Sequence, residues 1–169
     1  MSLAELMDAD LQKEDESKRI LTPLEVARMF HASESNSRNC MLLKCIYFLG
    51  LSNSEVQNLR VKDIDFENGE VRVIKGQRKR ARYTSIPEGF DMELKNFING
   101  NGYVFSGRSM GLLSDRHIRR IVKSYACKAN VRKCEEIHPH SLKYSYTVHI
   151  NSFKKREIKY SKIDSMKHI

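Results

Sequence analysis

The sequence predicts an α+β fold, mainly helical, with one small three-stranded antiparallel sheet. Three observations carry this. Helix-opening signals recur along the chain, at Thr22-Pro23-Leu24-Glu25, at Ser52-Asn53-Ser54-Glu55 and at Ser114. Residues 41–49 are apolar on nearly every face, as in a helix at the centre of a core. Between residues 63 and 87 the apolar period shortens to that of strands around an Asn68-Gly69 turn.

In order along the chain, residues 1–20 hold much local acid and few large apolar side chains, and are expected to be a flexible leader. At Leu21 order begins. Thr22 can cap a helix, Pro23 suits its first position, Glu25 can close a capping box, and Leu21 and Val26 can form the hydrophobic staple. That helix should reach about Phe30 or His31. Ser35 to Asn39 is a polar break, and the apolar run Met41–Leu49 is the central helix, ended by Gly50. Ser52 and Glu55 open a short helix to Leu59 or Arg60. Strands are expected at 63–70, at 71–75 and at 82–86, the last closed by Pro87. Helices resume at about 88–98 and at 115–129. Another opens near Pro139–His140 and runs to about 152, and a last one is expected over 157–167.

Composition narrows the function. A chain of 169 residues suits one compact domain rather than two. Its 30% charged residues and net charge of +9 favour a polyanionic partner. No stretch approaches the ~20 apolar residues that span a bilayer, and the N-terminus lacks an apolar signal-like core. A cytoplasmic, DNA-associated protein without a membrane partner is expected. The four cysteines, Cys40, Cys45, Cys127 and Cys134, form no disulfide framework and no C-x-x-C pair. Reduced, partly buried thiols are expected. Cys127, Cys134, His138 and His140 fit no usual zinc spacing, so neither metal nor cofactor is expected.

Basic residues cluster in two places. Arg72, Lys75, Arg78, Lys79, Arg80 and Arg82 crowd one strand-turn-strand segment without an acid among them, and Arg119 and Arg120 lie on the helix behind Ser114. Arg78, Lys79, Arg80, Arg82, Arg119 and Arg120 are the candidate contacts to DNA phosphates.

The most informative stretch is His140-Ser141-Leu142-Lys143-Tyr144-Ser145-Tyr146-Thr147. It resembles the H-x-L-R-H-[ST]-[FY]-[AT] helix start of the tyrosine recombinase (phage integrase) family. Gly50-Leu51-Ser52-Asn53-Ser54-Glu55-Val56, with Leu59 and Asp63-Ile64-Asp65, resembles that family's G-L-R-x-S-E-[LV] box. The hairpin from Val73-Ile74-Lys75-Gly76 to Ile86-Pro87 resembles its V-x-G-K-G-x-K-x-R-x-[VI]-P segment. The resemblance covers about residues 21–169, in order, without the family's N-terminal core-binding domain.

The resemblance implies an integrase-like catalytic domain that acts on double-stranded DNA, breaking and rejoining strands through a phosphotyrosine. It implies that His140 and Lys143 meet the scissile phosphate, and that Lys75 or Lys79 protonates the departing 5′ oxygen. His168 stands in the family's G-H position. Two departures matter. Ser52 occupies the place of the first arginine, and Lys143 that of the second; lysine keeps the charge but loses the planar fork. The family's tyrosine falls beyond Ile169 by count, and Tyr160 comes too early. The expected function is therefore DNA binding linked to site-specific recombination and integration, as in a mobile element, with impaired catalysis. Alternatives are a non-catalytic DNA-binding regulator or accessory factor, or a recombinase whose tyrosine is supplied in trans, with self-association or a partner recombinase on the DNA.

Overall fold

The computed structural model describes residues 19–75, 80–107 and 111–166. The expected α+β architecture is present. Six α-helices among the described residues are α1 (Pro23–Ser33), α2 (Ser37–Phe48), α3 (Asn53–Asn58), α4 (Phe90–Phe97), α5 (Asp115–Lys128) and α6 (Pro139–Met166). The sheet orders β1 (Ile64–Asp65), β2 (Glu70–Lys75) and β3 (Arg80–Ser85) as β1-β2-β3, antiparallel throughout. Val71 pairs with Thr84 and Lys75 with Arg80, which sets the hairpin register. No helix among the described residues is long and apolar enough to cross a membrane.

Local chemistry explains the helix starts. Thr22 and Glu25 form the reciprocal capping box: Glu25 N–H donates to Thr22 Oγ1 (3.2 Å) and Thr22 N–H to Glu25 Oε2 (2.9 Å). The polar break is narrower than expected. Asn36 caps α2 by accepting from the Asn39 N–H (3.0 Å), so that helix begins at Ser37 and not at Met41. α6 departs further from expectation. Residues 139–166 form one helix where two were expected, because no glycine or proline falls within 140–166. Ser152 does not break it; its hydroxyl donates back to the Val148 carbonyl (2.9 Å).

α2 is the centre. Leu42, Leu43, Cys45 and Ile46 are fully buried, packed with Leu94 of α4, Ile118 and Val122 of α5, Val71 of β2 and Leu142 of α6. Tyr47 ties α6 to this core. Its ring meets Phe30, Phe48 and Tyr146 edge-on, and its hydroxyl lies 2.7 Å from His149 Nδ1. Arg19, at the end of the segment expected to be flexible, bonds Glu25 (2.9 Å) and the Arg132 carbonyl (3.0 Å); residues 1–18 lie outside the described part.

One expectation is overturned. Cys127 and Cys134 are joined as a disulfide, with Cα atoms 4.9 Å apart. The chain reverses just after α5 through Asn130 and Lys133, both in the left-handed region, and this turn brings the two thiols together. Cys40 and Cys45 are free and buried, as expected of structural thiols.

Candidate nucleic-acid interface

Three walls enclose a cleft of about 380 Å³. Ser52, Asn53 and Ser54 at the start of α3 form the first, Asp115 and Arg119 of α5 the second. His138, His140 and Lys143, at the start of α6, form the third. The two sequence segments at Ser52 and His140, some ninety residues apart in the chain, thus meet at one place.

Lys143 is half-buried and His140 exposed, with its ring stacked on Tyr144 one turn on (centroids 5.3 Å, planes 18° apart). Ser52 contributes its backbone N–H to Glu55 Oε2 (2.8 Å), so it opens α3 and brings no charge to the cleft. Beneath lies Glu55. Burial pushes its carboxyl up, but hydrogen bonds from Arg82 and the Ser52 N–H, with the charges of Arg82 and Lys143, outweigh burial and hold it below the usual range. Lys143 is therefore close enough to a buried carboxylate to feel its field.

Arg82 is engaged from below. It donates to both Glu55 oxygens (3.1 and 2.8 Å) and to the Gly50 carbonyl (2.9 Å), anchoring β3 beneath the first wall. Arg80 is exposed at the start of β3. Arg119 and Arg120 are exposed on α5, where Arg120 lies 2.8 Å from His117 Nδ1. Lys75 ends β2 opposite Arg80, but its side chain, like Arg78, Lys79 and His168, lies outside the described residues.

A bridge across the cleft was not foreseen. Asn53 donates to Asp115 Oδ1 (2.5 Å) while Arg119 Nε donates to Asp115 Oδ2 (2.7 Å). The i,i+4 spacing of Asp115 and Arg119 announces their pair; nothing local announces Asn53. The arrangement suits an oxyanion. Cationic and imidazole donors converge from two walls, and Ser52 and Ser54 add hydroxyls.

Comparison with known proteins bears on the family and the fold. Residues 19–153 match the model of the phage integrase family. A tyrosine recombinase of Pseudothermotoga lettingae is 30% identical over 135 residues, 77% of this chain and 46% of that protein. The tyrosine recombinase XerC of Oceanobacillus iheyensis is 28% identical over 157 residues, 86% of this chain and 47% of that protein. The chain spans a little under half the length of these relatives. Among solved structures, the XerA recombinase superposes with a TM-score of 0.68 at 20% identity, over 78% of this chain and 49% of that one. The XerH site-specific recombinase bound to difH substrate gives 0.66 at 22%, over 82% and 44%. The lambda integrase catalytic core gives 0.60 at 13%, over 76% and 81%. All three share the fold.

Proposed function

We propose, from the premise that this chain belongs to the phage integrase family, that residues 21–169 are an integrase-type catalytic domain which binds double-stranded DNA. It serves site-specific recombination and is impaired in strand cleavage. The observation that carries the reading is the convergence of Ser52, His140 and Lys143 on one cleft. A backbone phosphate seated there accepts from Lys143 and His140, while Arg78, Lys79, Arg80 and Arg120 meet phosphates to either side. Lys75 or Lys79 is the proton donor of the hairpin, and His168 a further contact to the phosphate. Arg82, held by Glu55 and Gly50, shapes the hairpin base.

Displacing a DNA strand builds charge on a pentacoordinate phosphate, which is stabilised best by planar forks that hold two oxygens at once. Ser52 offers none and Lys143 offers a point charge, so the cleft is better suited to holding a phosphate than to cleaving at it. This favours, as a second reading, a DNA-binding regulator or accessory factor acting beside a partner recombinase.

The test is a salt titration of duplex binding. Affinity should fall with a log–log slope of about −0.9 for each phosphate neutralised. Reversal of Arg78, Lys79 and Arg80 to Glu should weaken binding to any duplex and flatten that slope. Unchanged affinity of the triple variant across the titration would remove the hairpin from the interface.

A further inference from the structure

We infer that Arg119 supplies the phosphate site with the forked cation that Ser52 does not, reaching the same phosphate as Lys143 from the opposite wall. The inference rests on the reading that the cleft seats a phosphate.

Arg119 lines the cleft together with Ser52 and Lys143. It is an exposed arginine, but a tethered one. Its Nε is bound to Asp115 Oδ2 at 2.7 Å, and the other oxygen of Asp115 is bound by Asn53 at 2.5 Å. Asn53 is the neighbour of Ser52, so two consecutive hydrogen bonds tether the guanidinium beside the place an arginine at position 52 would start from. Asn53 first, then Arg119, hold the Asp115 carboxyl below its usual range against slight desolvation, so the tether is a carboxylate at neutral pH.

The bond to Asp115 uses Nε, and the two terminal nitrogens of the guanidinium are further donors in the same plane. A planar fork offers two non-bridging oxygens the geometry that the Lys143 ammonium lacks. Asp115 offsets the charge of Arg119, so this residue acts through the direction of its donors more than by drawing DNA from afar. A plain i,i+4 surface pair would account for Asp115 with Arg119. It would not account for Asn53, which joins a second helix to the pair at the rim of the cleft.

Inorganic phosphate titrated into the full chain, followed by the ring signals of His140, reads the site directly. Arg119→Ala should weaken phosphate binding about ten-fold or more, as expected for loss of hydrogen bonds to a charged group. Arg119→Lys, which keeps charge without the fork, should fall between. Ser52→Arg should restore much of the affinity lost in Arg119→Ala, and its gain in that background should clearly exceed its gain in the otherwise unchanged chain, because the two guanidinium groups would serve one place. Phosphate binding that needs Lys143 but ignores Arg119→Ala would overturn the inference alone. So would a Ser52→Arg gain of equal size in both backgrounds. If phosphate leaves His140 unperturbed and Lys143→Ala changes nothing, the phosphate-site reading falls, and this inference with it.

Discussion

Arg82 grips Glu55 with two prongs, Nε to Oε1 at 3.1 Å and Nη2 to Oε2 at 2.8 Å, joining β3 to α3 beneath Ser52. The carboxylate is almost wholly buried, whereas the Arg82 side chain keeps 41% of its exposure. Arg82→Ala should therefore cost roughly 1–3 kcal/mol, the range for a buried group left without its partner. The larger figure for a pair dry on both sides does not apply. The pH dependence has a definite sign. Glu55 is held below its unfolded range, so its contribution is complete above that range and is lost as pH falls through the folded value. Melting temperatures of the unsubstituted chain and of Glu55→Gln should converge on acidification. A gap that widens toward low pH would contradict the ion pair.

Tyr47 and His149 form a second joint. His149 Nε2 lies 2.9 Å from the Leu21 carbonyl, which can only accept, so in the neutral ring Nδ1 accepts from the Tyr47 hydroxyl. Burial, with a smaller effect of Tyr146, pushes the Tyr47 phenol up to about 12, so the donor persists at any ordinary pH. Tyr47→Phe leaves Nδ1 without its donor and should cost about 1–3 kcal/mol in denaturant unfolding. Leu43→Ala and Ile46→Ala, both in the core of α2, should each cost about 2–5 kcal/mol by the same measurement.

The Cys127–Cys134 disulfide closes a short loop immediately before His138. Reductant should lower the melting temperature by an amount corresponding to about 2–4 kcal/mol at most, since the loop is short. Chelator should change nothing. Thiol reagent should find little in the native oxidised chain, because Cys40 and Cys45 are buried, and four thiols after reduction in denaturant. Native reactivity of Cys127 without reductant would show the pair open.

Strand cleavage by this chain should be below detection. Losing one donor to the transition state typically costs about 10²–10³ in rate; Lys143 lacks the fork of the family pattern, and Arg119, whose charge Asp115 offsets, replaces the missing arginine at Ser52 only in part. Incubation with nicked suicide duplexes and denaturing gels checks this. Lys143→Arg should tighten phosphate binding several-fold through its fork. A covalent adduct that vanishes in Tyr160→Phe would show cleavage intact and name its nucleophile.

Local signals carried most of the fold. The Thr22–Glu25 box, the apolar run at Leu42–Ile46 and the Asn68-Gly69 turn each act within a few residues, so their structures follow from neighbours the sequence displays side by side. The motif at His140 and Lys143 was legible for the same reason. What tertiary structure decided depends on partners far apart in the chain. Arg82 reads as one of six basic residues in a hairpin until Glu55, 27 residues away, claims its guanidinium. Asn53 reads as a helix-opening polar residue until Asp115, 62 residues on, draws it into the tether of Arg119. The Cys127–Cys134 bond waited on a turn with Asn130 and Lys133 in left-handed geometry, which no periodicity announces. Side-chain direction and long-range approach are set by how α3, α5 and β3 pack, and packing is the one property that a linear pattern of residues does not write down.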